Sequence, residues 1–304
     1  MEYVSRTDHD GISRVVIRRG KVNAFNDAVI DEMSRTFAEL ALDPSVRAVI
    51  LTGTGKFFSF GFDIPQFLGY DRERFTRYLT NFTRLYREIF LHPKPVVAAL
   101  NGHTIAGACM VAASCDYRVM VPGKARISLN EINFGSSVFA GSVEMLKLLV
   151  GPRMAETVLY SGALYSAEEA LRMGLVDRVV PEDDLESEAV KVAREYAARD
   201  PDAFRSIKGL LRRAVAERME KIERDSIEEF IKNDAAEKGL FPVYVRNYKR
   251  NRDVLKLFKG ANFARASESV LNLSYPGLED WLLIDIKYKN EKEQEIQRAV
   301  LYVM

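Results

Sequence analysis

The stretch "PVVAALNGHTIAGACMVAASCD", residues 95–116, decides how the rest of the chain is read. Its first six residues form the continuous apolar run of a strand buried on both faces. "NGHT" breaks that run, and from near Gly107 small residues around a lone methionine continue without a charge until Asp116. A helix that is apolar all round has to lie inside the protein. Small residues at its start let other backbone, or a ligand, lie against it. Strand, loop and buried helix make one unit of an α/β fold.

Outward from this unit the same alternation recurs. "SRVVIRR" (13–19), "VRAVILTG" (46–53) and "DYRVMV" (116–121) read as further strands. Between the first two, Asn26 can cap a helix that sets Val29, Met33, Phe37 and Leu40 on one face. "DRERFTRYLTNFTRLYREIFLHP" (71–93) spaces Phe75, Leu79, Phe82, Tyr86 and Ile89 helically and stops at Pro93. Strands fade from about residue 141. "SAEEALRMG" holds a capping box, Ser166 with Glu169, and ends at Gly174, and a further helix follows Pro201. The chain divides into an α/β core at 1–200, a helical region at 201–252 and an extension of unassigned role at 253–304, which carries the single tryptophan.

With 44 basic and 43 acidic residues in 304, the chain can bury a sizeable core and has almost no net charge. That balance argues against a nucleic-acid groove or a polybasic membrane surface. The two cysteines, Cys109 and Cys115, both lie in the apolar stretch, as buried thiols of a reducing compartment do. No apolar run approaches the roughly 20 residues of a membrane span, and the expectation is a cytoplasmic protein. His9, His92 and His103 show no metal-ligand spacing and no triad, so surface or loop roles are expected.

"LTGTGKFFSFGFDI" (51–64) superficially suggests a phosphate loop, yet Ile50 and Phe57 stand where that motif needs a glycine and a hydroxyl. What remains is a strand entering a sharp turn at Gly61, which leaves neighbouring N–H groups free to point outward. A turn donor here and a second donor at the buried helix start can together form an oxyanion hole.

Taken in order, "KVNAFN" (21–26), "FFSFGFDI" (57–64), "KPVVAALNGHTIAGACMVAASCDYRV" (94–119), "ISLNEINFG" (127–135) and "SAEEALRMGLVDRVVP" (166–181) resemble the crotonase, or enoyl-CoA hydratase/isomerase, superfamily over residues 1 to about 252. The resemblance implies a spiral of ββα turns with a helical C-terminal region that assembles trimers, or dimers of trimers. It places the oxyanion N–H groups at Phe62 and Gly107. It implies an acyl-CoA substrate and no cofactor besides the CoA thioester itself. Lys21, Ala24, Phe60 and Gly61, with Asp63 and Ile64, fall where relatives meet substrate and CoA; so do Met110, Asn130 and Phe139. Lys56 and the basic run 246–252 are open to either CoA phosphates or plain solvation.

Hydratases of that family use two glutamates. Here the first position holds Met110 and the second is Glu131. A thioether neither takes nor gives a proton, which leaves one carboxylate for acid/base work. An apolar residue at 110 beside "SLNE" looks most like the mitochondrial-type delta3-delta2-enoyl-CoA isomerases, in which Glu131 would move a proton from C2 to C4. Burial among Leu129, Ile132 and Phe134 is expected to raise its pKa. Asp116 is expected to cap or pair rather than react, and Asp63 to orient its turn. Phe139 and Val138 make an apolar wall where hydratases carry a glycine-rich loop, and Phe60 is bulky where relatives are small. Alternatives are a hydratase, dienoyl isomerase or thioesterase, or a non-catalytic acyl-CoA binder.

Overall fold

The computed structural model describes residues 1–67, 70–134 and 136–233, with the backbone of two further strands at 281–289 and 295–303. The chain opens with an antiparallel hairpin, β1 (Val4–His9) and β2 (Ile12–Ile17). Helix α1 (Asp27–Leu42) is started by Asn26, whose side-chain oxygen accepts from the Val29 N–H at 3.0 Å. Its buried face is the expected one, with Val29, Met33, Phe37 and Leu40.

Three passes of the chain then repeat one plan. β3 (Ala48–Thr52) turns into β4 (Phe57–Ser59) and is followed by the short α2 (Ile64–Phe67) and the long α3 (Arg72–Phe90). β5 (Val96–Leu100) turns into β6 (His103–Ile105) and α4 (Gly107–Ser114). β7 (Tyr117–Met120) turns into β8 (Ile127–Ser128) and a 3-10 turn, Glu131–Phe134. Helices α5 (Ala140–Val150), α6 (Pro152–Ser161) and α7 (Ala167–Met173) precede β9 (Arg178–Val179), and α8 (Leu185–Ala197) and α9 (Pro201–Asn233) follow. In each pass the first strand joins a six-stranded sheet, β1-β2-β3-β5-β7-β9, and the second joins a three-stranded sheet, β4-β6-β8. Within these two sheets every strand pairing except the opening hairpin is parallel. This is a ββα spiral. Strands β3 and β5 are buried at every residue, as strands covered on both faces must be.

Helix α9 is tied to the spiral by buried charge. Lys208 Nζ lies 2.7 Å from Asp116 Oδ2, and the Arg212 guanidinium lies 3.1 Å from Asp116 Oδ1. Arg212 also donates to the carbonyls of Phe90 and Ser114, at the C-terminal ends of α3 and α4, where a cation complements the helix dipole. Asp116 further accepts from the Val96 N–H at 2.8 Å, so it pairs as expected.

Of the histidines, His9 is exposed and His92 lies in the loop between α3 and β5, as expected, although it is buried there; His103 departs from expectation, being buried in a strand. His92 Nε2 stands 3.3 Å from the Phe37 carbonyl oxygen and its ring meets Phe37 edge-on, and burial pushes its pKa down to about 4. His103 belongs to β6, a strand too short for a periodic pattern to announce.

Beyond α9, β10 (Trp281–Lys289) and β11 (Glu295–Val303) pair as an antiparallel hairpin. The expected helical boundary at 252 and the basic run 246–252 lie outside the described residues. Among the described residues no helix is long and apolar enough to cross a membrane.

Candidate active site

The three strands of the small sheet run parallel, so their C-terminal ends lie along one edge, and each delivers one of the expected functional residues there. Phe62 follows β4 by three residues, Gly107 follows β6 by two, and Glu131 follows β8 by three.

In the β4 turn the hydrogen bonds can be assigned one by one. The Phe60 N–H donates to the Val22 carbonyl at 3.0 Å, the Gly61 N–H to Ser59 Oγ at 3.1 Å, and the Asp63 N–H to the Phe25 carbonyl at 2.9 Å. Phe25 in turn donates to the Gly61 carbonyl at 2.7 Å, so the peptides on both sides of Phe62 are held. The Phe62 N–H alone in this run has no acceptor among the described residues. Gly61 makes the turn with φ +87°, in the region that favours glycine, and a Cβ there would fall 3.1 Å from Gly107 N and 2.8 Å from the Ile105 carbonyl oxygen.

At the start of α4, Ala106 donates to the Ser128 carbonyl at 2.8 Å, and its own carbonyl accepts from Cys109 and Met110. The Gly107 N–H, one of the first four of the helix, has no acceptor among the described residues. Ala106 reaches this geometry with φ 53° and ψ −121°, a strained conformation for a residue with a Cβ. Two unengaged backbone donors thus stand side by side, with the positive end of a buried helix behind them, an arrangement able to hold one anionic oxygen.

Glu131 is 7 % exposed, and its Oε2 is buried without a hydrogen-bond partner. Desolvation pushes its pKa up to about 8; no neighbouring charge contributes. The expected burial partners need correction, because Ile132 is 47 % exposed while Leu129 is buried. A four-residue 3-10 turn cannot bury consecutive side chains on one face, so Glu131 turns inward and Ile132 outward. The turn is pinned from outside by the Asn133 side chain, whose Nδ2 donates to the Gly162 carbonyl at 2.7 Å. A carboxyl group whose pKa stands near 8 can serve as both base and acid close to neutral pH.

The other expected residues are placed as follows. Met110 is fully buried in α4, and Asn130 is buried with Oδ1 unpartnered. Phe139 is fully buried, with its ring centroid 6.1 Å from that of Phe62 and 6.2 Å from that of Phe82. Phe60 packs edge-on to Phe57, and Ile64 is half-buried at the start of α2. The Asp63 carboxylate is held by Arg19 at 2.6 Å, which fits its expected role in orienting the turn. Arg19 also donates to the Ala24 carbonyl at 3.1 Å; Lys21 lies exposed on the same loop. Sequence reading missed Asn23, which sits at φ 51° and is fully buried. It donates to the Thr54 and Phe57 carbonyls (3.0 and 2.9 Å) and accepts from the Arg19 N–H, clasping this loop to β4. An asparagine within "KVNAFN" is the only local sign of it. A cavity of about 220 Å³ beside the N-terminal end of β5, lined by His92, Arg205, Lys208 and Arg213 among others, contains none of these residues. Among the described residues no three His, Cys, Asp or Glu side chains cluster as metal ligands would.

The profile of the family described as enoyl-CoA hydratase/isomerase matches residues 7–249. The chain is 32 % identical over 247 residues to mitochondrial enoyl-CoA delta isomerase 1 of Mus musculus, covering 80 % of this chain and 85 % of that one. It is 33 % identical over 206 residues to the short-chain-enoyl-CoA hydratase of Clostridium acetobutylicum, covering 67 % and 78 %. The crystal structure of human mitochondrial delta3-delta2-enoyl-CoA isomerase superposes with a TM-score of 0.72 at 28 % identity, over 75 % of this chain and 90 % of that one.

Proposed function

The chain belongs to the enoyl-CoA hydratase/isomerase family, and on that premise we propose that it shifts the double bond of a 3-enoyl-CoA to give the trans-2-enoyl-CoA. The observation that carries this reading is the solitary carboxyl of Glu131: buried, with Oε2 unpartnered and no charged neighbour among the described residues, while Met110 occupies the position of the second acid. The Glu131 carboxylate takes a proton from C2, the electron pair moves to form the dienolate, and the thioester oxygen that gains the charge is held by the Phe62 and Gly107 N–H groups. The carboxylic acid so formed returns its proton to C4, and the new double bond lies between C2 and C3. Every atom is conserved and no cofactor is consumed; CoA enters only as part of the substrate.

Lys21, Ala24, Phe60 and Ile64 are proposed to border the CoA moiety, and Phe139 the acyl chain. The exposed Ile207, Leu210 and Leu211 on α9 recur at helical spacing and support self-association, which we assign to a homotrimer or a dimer of trimers. Sedimentation of the full chain tests that assignment. A cytoplasmic location stays part of the proposal, set against the mitochondrial names of some relatives; imaging of the tagged full chain decides it.

The hydratase relative gives the second reading its support. Hydration of a 2-enoyl thioester needs a positioned water, and a lone carboxyl opposite a thioether positions it poorly. Supplying cis- and trans-3-hexenoyl-CoA on one hand and crotonyl-CoA on the other separates the two. Fast appearance of the conjugated thioester from the 3-enoyl substrates with slow loss of crotonyl-CoA is expected. Comparable rates on both would overturn the isomerase assignment.

A further inference from the structure

The N-terminus of α5 is capped by another helix. Its N-cap residue is Phe139, whose side chain can accept nothing. Instead the Ala140 N–H donates to Ser226 Oγ at 3.0 Å, and the Gly141 N–H approaches Glu223 Oε1 at 3.4 Å; both acceptors belong to α9. Glu223 Oε2 accepts from the Tyr86 hydroxyl of α3 at 2.7 Å, and Ser226 Oγ lies 3.2 Å from Glu223 Oε1. One buried carboxylate therefore joins α3, α5 and α9. The site is built around it: a Cβ on Gly141 would lie 2.3 Å from Tyr86 Oη and 2.7 Å from Glu223 Oε2. A negative group at a helix N-terminus is also where the dipole favours it.

Phe139, the N-cap residue, immediately precedes the two N–H groups that α9 satisfies. Its ring is wedged between Phe230 of α9, centroid 4.7 Å away, and the Phe62–Phe82 pair, themselves 4.7 Å apart. The Phe62 ring in turn covers Gly107, where a Cβ would meet Phe62 Cε1 at 3.1 Å. A continuous chain of contacts thus runs from Glu223, through the start of α5 and Phe139, to the residue that presents one of the two unengaged N–H groups.

We propose that Glu223 is a positioning residue: by fixing the start of α5 it sets how far Phe139 stands behind Phe62, and so selects the length of the acyl chain. The inference rests on the acyl-CoA reading of the Phe62–Gly107–Glu131 edge. It makes the selectivity of the site depend on a side chain of α9 that does not touch substrate.

The test measures affinity for unreactive saturated acyl-CoAs, butyryl to decanoyl, and for free CoA, on the full-length protein and on Glu223→Ala, Glu223→Gln and Ser226→Ala. Glutamine keeps an acceptor for the Gly141 N–H and can donate to Tyr86 Oη, so it should retain the parental length profile. Alanine at 223 should change the decanoyl-to-butyryl affinity ratio about 3- to 10-fold, the scale on which an apolar pocket discriminates methylene groups, with free CoA bound within about twofold of the parent. Ser226→Ala, the milder cut, should move the ratio in the same direction, and it carries the test if Glu223→Ala does not fold. An unchanged ratio, or an equal loss at every length, overturns the inference and leaves the function standing. Absence of any acyl-CoA binding by the parent protein overturns both. Binding without isomerisation overturns the reaction alone, since the length profile does not depend on turnover.

Discussion

Ile105 and Ser128 face each other across parallel strands β6 and β8, and the chain leaves both strands in the same direction. Two residues past the first is Gly107 and three past the second is Glu131. An unengaged backbone donor and a buried carboxyl are therefore delivered together by one register. The short β4 adds Phe62 from the next position in the sheet.

Removal of the Glu131 carboxylate by Glu131→Gln is expected to lower turnover of 3-enoyl-CoA by roughly 10²–10⁴-fold, the usual scale for a general acid/base, with CoA affinity nearly unchanged. In the parent protein kcat/KM should rise with pH and level off above about 8, because the free enzyme must hold Glu131 as carboxylate. A flat profile from pH 6 to 9 would place the base elsewhere.

The same carboxyl costs stability as it ionises. Its folded pKa, about 8, lies above its ordinary 4.5, so the folded state binds more protons between those values and stability contributed by this group falls as pH rises. The parent should lose stability relative to Glu131→Gln by at most about 1.4 kcal/mol per pH unit across that window. Urea titrations of both proteins at pH 5, 6.5 and 8 measure it; parallel curves would show that Glu131 is solvated.

His92 acts in the opposite sense. Burial holds its folded pKa near 4 against an ordinary 6.5, so the unfolded chain binds the extra proton between those values and acid destabilises the fold. His92→Gln should flatten the loss of stability between pH 6.5 and 4 relative to the parent. It should also lower stability at pH 7 by about 1–2 kcal/mol through lost packing against Phe37. Equal acid sensitivity in both proteins would mean that the imidazole is open to water.

Ala106→Gly removes a Cβ from a backbone conformation that favours glycine. Relief of strain should outweigh the added freedom of the unfolded chain and stabilise the protein by about 0.5–1 kcal/mol. Guanidinium unfolding reads the gain. A loss of stability would mean that the conformation at 106 is not the strained one described.

Met110→Glu puts a second carboxyl into α4, where a new buried polar group should destabilise the fold by about 1–3 kcal/mol. If position 110 shares the substrate face with Glu131, like charges push one pKa further up and displace the kcat/KM profile to higher pH. Isomerase activity should fall, with at most a trace of hydration gained. An unmoved profile in a folded variant would detach Met110 from the site.

The local grammar of this chain was legible in its residues. The Asn26 cap, the Ser166–Glu169 capping box, the helical face of α3 and the uniformly buried strands β3 and β5 depend on neighbours within a few positions, where propensity and periodicity operate. The ordered motifs likewise pointed to Phe62, Gly107 and Glu131. Tertiary structure decided what those positions could not show by themselves. Strands β4, β6 and β8 hold three, three and two residues, too few for any pattern, yet their pairing forms the edge that gathers the site. That Phe62 N–H lacks an acceptor among the described residues follows only from seeing its neighbours bonded to Val22, Ser59 and Phe25. His92 and Glu223 look like surface residues in their own segments and become buried because α1, α3, α5 and α9 close over them. Burial and unmet hydrogen bonds are properties of what surrounds a group, and the surroundings of these groups come from residues up to 137 positions away, as Tyr86 and Glu223 show.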